Sequence, residues 1–76
     1  MCKQMRSQIQ VLFGKSVRKL RLKRRLSQER LAELCGLHTN YIGRIERGQQ
    51  SASVAYIVKL ARALKVRPGD LFKGIR

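Results

Sequence analysis

Between residues 39 and 47 the chain sets Thr39, Asn40, Arg44 and Arg47 around Ile42 and Ile45. On a helix turning about 100° per residue, Thr39, Asn40, Gly43, Arg44 and Arg47 fall within an arc of roughly 140°, opposite the two isoleucines. Such an arc carries the donors and acceptors that base edges accept. An Arg guanidinium pairs with guanine O6 and N7, an Asn amide with adenine N6 and N7, and Thr offers a hydroxyl and a methyl. An ordinary solvated helix face has the same polarity, so the arc needs support from elsewhere. Gly43 costs a helix about 1 kcal/mol relative to Ala. Close approach of backbone to DNA justifies that cost, and drift explains it equally well.

The charge balance supplies the first support. Eighteen Lys and Arg face four acids among 76 residues, a formal net charge of +14. That favours polyanionic partners, nucleic acid or acidic lipid, and says little about fold. Seven of the basic residues lie between Lys15 and Arg25 with no acid among them, a run that is usually a solvated face and here also supplies a phosphate-facing flank.

Other chemistries find no constellation of residues. No acid pair, nucleophile–base set or metal cluster assembles, so neither enzyme nor cofactor is expected. His38 is the one histidine and the two cysteines form no CxxC, which leaves no zinc site. Cys2 and Cys35 are expected as free thiols, Cys35 buried and inert. The letters FGKSV end like a phosphate-binding loop, but Ile9 stands where that loop needs its first Gly. No run approaches the roughly 18 apolar residues of a membrane span, and no signal-peptide core is present. A soluble, cytoplasmic, nucleoid-associated protein without a small-molecule substrate is expected.

The elements that must hold the arc follow from periodicity. Ile9, Leu12, Phe13, Val17 and Leu20 have helical spacing, after an expected frayed arm at residues 1–8. Ser27 caps a second helix with Leu31, Ala32, Leu34 and Cys35 on its apolar side, and Gly36 ends it in a left-handed turn. A third helix starts at His38 or Thr39 and ends at Gly48. Ser53 caps a fourth, carrying Val54, Ile57, Val58, Leu60, Ala61 and Leu64, and Pro68 opens a short fifth with Leu71 and Phe72. Residues 1–76 are thus expected as one all-α domain, a compact bundle of about five short helices, with a helix-turn-helix at 27–47. Val54, Val58, Val66, Leu71 and Phe72 exceed what one thin core covers, which predicts dimerisation through the C-terminal third.

The string LSQERLAELCGLHTNYIGRIERG at 26–48 resembles the helix-turn-helix of the lambda-repressor and Cro-like (XRE-type) family, which includes phage repressors, restriction–modification controller proteins and antitoxins. Ser27-Gln28, Ala32, Gly36 and Ile45-Glu46-Arg47-Gly48 carry the likeness together, which extends over about residues 12–73. Within such a unit the polar arc makes Thr39, Asn40 and Arg44 the expected base readers; the resemblance adds the residues around them. Gln28 would contact phosphate and brace the reading helix, with a backbone contact near Arg47. His38 is expected as a cap or phosphate contact, Gly43 as a positioning residue, and Tyr41 as a packing residue, either with its hydroxyl reaching phosphate or serving the core alone. Glu46, an acid in a reading helix, needs a buried Arg; the resemblance points to Arg21, with Arg18 the alternative. Arg25 stands where the family commonly has Gly.

The resulting expectation is a sequence-specific regulator of transcription. It would bind double-stranded DNA as a homodimer on a two-fold operator, its third helices entering major grooves about 34 Å apart. RNA polymerase and a toxin are the further candidate partners. A non-specific basic module coating RNA or DNA is the alternative; two Tyr and two Phe offer it little stacking surface.

Overall fold

The computed structural model describes the backbone of residues 2–73 and the side chains of residues 8–73. Helix α1 runs Cys2–Lys23, α2 Gln28–Cys35, α3 Thr39–Glu46 and α4 Val54–Leu64, followed by a 3₁₀ helix at Pro68–Phe72. No strand occurs among the described residues. The first helix departs from expectation. It has 22 residues and is already helical at Cys2, so the segment expected as a frayed arm continues α1.

Helices α2, α3 and α4 each follow a residue whose side chain supplies an acceptor. The hydroxyl of Ser27 accepts from the Arg30 amide at 3.0 Å, that of Ser53 from the Tyr56 amide at 3.2 Å. His38 does the same with Nδ1, accepting from the Asn40 amide at 3.2 Å. In the 3₁₀ helix the Asp70 carboxylate accepts from the Arg67 amide at 3.0 Å, which holds its pKa below the usual carboxylate value.

Helix ends are closed by left-handed residues. Gly36 has φ 68° and Gly48 φ 74°, while Arg25 at φ 57° and Lys65 at φ 58° take the same conformation with a side chain. That costs an L-residue roughly 1–2 kcal/mol. Arg25 therefore keeps the turn geometry that a Gly adopts more readily. Next to it, the Arg24 guanidinium donates to the carbonyls of Leu64 at 3.0 Å and Lys65 at 3.3 Å, placing a cation at the negative end of α4.

One core joins all five elements: Phe13 and Val17 of α1, Leu31, Ala32 and Cys35 of α2, Ile42 and Ile45 of α3, Leu60, Ala61 and Leu64 of α4, and Leu71. The α1 stripe is only partly used, for Ile9 and Leu12 stay exposed. Leu34, expected on the apolar side of α2, is exposed as well. Cys35 is buried against the α4 backbone: its thiol donates to the Lys59 carbonyl at 3.7 Å, and desolvation pushes its pKa up.

Gly14 sets how closely α1 meets α3. A Cβ there would fall against the carbonyl oxygens of Ile45 and Glu46, the second at 2.9 Å. Gly48 meets α1 as closely, where a Cβ would lie 2.9 Å from the Cα of Val11. The end of α3 is therefore seated on the backbone of α1.

Candidate nucleic-acid interface

Ile42 and Ile45 anchor α3 in the core. The opposite arc emerges with Asn40, Arg44 and Arg47 exposed and Thr39 half-buried. The turn from α2 fixes the start of this helix, since the Leu37 amide donates to the Ala32 carbonyl at 2.8 Å.

Its far end is held by Glu46. The Arg21 guanidinium donates Nε to Oε2 at 2.6 Å and Nη2 to Oε1 at 3.0 Å, and its Nη1 goes to the Leu26 carbonyl at 2.8 Å. Gln28 Nε2 adds a third donor to Glu46 Oε1 at 3.0 Å. The two charged side chains are 10% and 3% exposed. Glu46 thus lies against Arg21 and not Arg18. Taking charges out of water is costly unless every polar atom is paired, and no buried side-chain nitrogen or oxygen among the described residues lacks a partner. The network ties α1, the first residue of α2 and the last residue of α3 together, which fixes the angle at which α3 presents its arc.

Gly43 is covered by Arg47: a Cβ would lie 3.1 Å from the Arg47 Nη1, the far end of a flexible side chain. Arg47 Nε donates to Gln49 Oε1 at 3.2 Å, leaving the other guanidinium N–H groups available. Tyr41 packs edge-on against Tyr56 with ring centroids 5.2 Å apart, and its hydroxyl donates to the Ser51 carbonyl at 3.2 Å. Tyr41 thus joins α3 to the start of α4. Burial pushes its pKa up.

The residues expected at a dimer contact divide. Val54 is 78% exposed, and Phe72 is partly exposed while its ring lies 5.3 Å from that of Phe13. Val58 and Val66 are half-buried, Val66 against the core. Leu71 is 0% exposed. It is a core residue, because the 3₁₀ helix turns it between α1 and α4, and it is not available to a partner. An apolar groove of about 130 Å³ lies beside Phe72, lined by Ile9, Phe13, Ala52 and Ile57 among others. Ile9 was missed for this surface because its helical spacing is that of a core position.

Among the described residues no group of His, Cys, Asp and Glu could hold a metal ion. No helix there is long and apolar enough to cross a membrane.

A capped two-helix unit, a polar arc on the second helix and a buried clamp behind it define a class. Residues 17–71 match the Helix-turn-helix family, and the chain belongs to that family of DNA-binding transcription regulators. Its relatives are more particular. The control protein C.BamHI of Bacillus amyloliquefaciens is 48% identical over 68 residues, covering 88% of this chain and 84% of that protein. The control protein C.SmaI of Serratia marcescens is 41% identical over 56 residues, covering 74% of this chain and 67% of that one. The crystal structure of the restriction-modification controller protein C.AhdI from Aeromonas hydrophila superposes with a TM-score of 0.81 at 49% identity, covering 83% of this chain and 96% of that one.

Proposed function

We propose that the chain is a restriction–modification controller, binding a two-fold DNA operator as a homodimer with α3 of each copy in a major groove. The carrying observation is the exposed Asn40 and Arg44 on a helix whose other end is clamped by Arg21, Gln28 and Glu46. A reading helix must be held at a fixed angle if its side chains are to discriminate bases, and a merely basic surface has no need of the clamp. Likeness to three control proteins supports the biological setting.

In this reading Asn40 and Arg44 contact base edges, with Thr39 beside them. Gln28 and Arg47 hold phosphates, which are present in every sequence and so set register but not specificity. His38 acts through the cap it provides to α3. Val54, Val58 and Phe72 offer the exposed or half-exposed apolar surface for the second copy, and a two-fold axis through it would pair the reading helices. The protein acts by binding alone, in the cytoplasm, and its effect depends on where the operator lies relative to a promoter.

Selection of bound sequences from a random duplex pool tests this reading. The expected result is an inverted repeat whose half-sites are about one helical turn apart. Enrichment without a shared sequence would instead mark a non-specific basic module.

A further inference from the structure

A polar cavity of about 260 Å³ opens between α1, α2 and α3, lined by Arg18, Arg21, Gln28, Glu46 and Arg47. Its charges do not cancel. Glu46 accepts three hydrogen bonds from Arg21 and Gln28, so its carboxylate is matched by Arg21. Arg18 and Arg47 remain as two guanidiniums on one cavity, and among the described residues neither has a carboxylate partner. Arg47 gives only its Nε to Gln49, and Arg18 is exposed, with none of its five N–H donors given to another described residue. Gln28 keeps one amide N–H beyond the one given to Glu46. Two like charges facing one recess repel each other until an anion sits between them. The forked geometry of guanidinium groups suits the oxygens of a phosphodiester.

We propose that Arg18 is a phosphate ligand. With Arg47 and Gln28 it closes on one phosphodiester of the DNA backbone seated in this cavity. The inference rests on the DNA-binding reading above and extends the interface to α1, outside the helix-turn-helix unit. The buried Arg21–Glu46 pair then has a second role. It keeps its own carboxylate neutralised at the floor of the recess, so the phosphate meets only donors. One phosphate held from α1, α2 and the C-terminal cap of α3 fixes the register in which α3 enters the groove.

The test uses the selected duplex with a single neutral methylphosphonate stepped along each strand, bound by wild type, Arg18→Gln and Arg18→Lys across a salt series. Arg18 is exposed, so both variants should melt like wild type. Arg18→Gln should lose roughly tenfold in affinity on cognate and scrambled duplexes alike. Its salt slope should be shallower by about 0.9, one phosphate's share in B-DNA. Arg18→Lys should keep the slope and lose less affinity. At one methylphosphonate position Arg18→Gln should lose clearly less than wild type does, the remainder belonging to Arg47 and Gln28; that coupling defines a direct contact. Equal losses at every position would reduce Arg18 to long-range attraction and overturn the proposal, as would an unchanged slope. A wild type that prefers no sequence would sink the functional reading itself, whereas intact discrimination without Arg18 coupling sinks only this inference.

Discussion

Glu46→Gln is expected to melt well below wild type and to bind cognate DNA more weakly. Breaking a buried ion pair from one side costs about 3–5 kcal/mol, because the remaining charge loses its compensation. Here that charge is the Arg21 guanidinium, 10% exposed and bidentate to the missing carboxylate. Gln retains one oxygen acceptor, which places the effect near the low end. At about 4–8 °C per kcal/mol for a domain this small, a fall of roughly 12–24 °C follows. The double variant Arg21→Met with Glu46→Leu separates stability from function. Replacing both partners by apolar groups is often neutral or stabilising, so melting should largely recover. Binding should stay weak, because Gln28 has lost the partner through which it braces α3. Unchanged melting in Glu46→Gln would place Glu46 on the surface and contradict the clamp.

The second large effect is at Gly14. In an isolated helix Gly14→Ala would stabilise by about 1 kcal/mol. In the folded chain the added Cβ falls on the carbonyl oxygens of Ile45 and Glu46, main-chain atoms that cannot swing aside. Inserting a methyl group into such a contact costs about 1–3 kcal/mol, occasionally more, and the rigid neighbours place this case at the upper end. Thermal unfolding should show a fall of about 10 °C or more, with DNA affinity reduced because the end of α3 is displaced. A melting temperature equal to wild type or above it would mean that α1 does not approach α3 this closely.

How much of this was legible in the sequence depends on the kind of physics involved. Capping is local, so Ser27, Ser53 and Gly36 announced their helix boundaries, and His38 did so with a ring nitrogen in place of a hydroxyl. The partner of Glu46 was narrowed to Arg21 by resemblance, since spacing alone left Arg18 open. Burial was less legible, because period shows which face is apolar but not how far the bundle covers it. Ile9, Leu12 and Leu34 keep helical spacing yet lie beyond the reach of neighbouring helices. Leu71 erred in the opposite direction, since only the packed 3₁₀ helix shows that it points into the core. Gly14 gave a faint signal, a glycine beside Phe13 on the core face of a long helix, but its meaning requires the position of α3. Arg18 was legible as one of a basic run facing phosphate and as an ion-pair candidate; that it shares a recess with Arg47 and Gln28 depends on how the three helices pack.

The central claim is that α3 reads bases while its surroundings hold phosphates. It is tested most directly by binding Asn40→Ala, Arg44→Ala, Gln28→Ala and Arg47→Ala to the selected duplex and to a scrambled one across a salt series. The two α3 variants should lose about 1–3 kcal/mol per half-site contact on the selected duplex and little on the scrambled one. Gln28→Ala and Arg47→Ala should weaken both, with a shallower salt slope for Arg47→Ala only. If Asn40→Ala and Arg44→Ala leave discrimination between the two duplexes intact, α3 is not the reader.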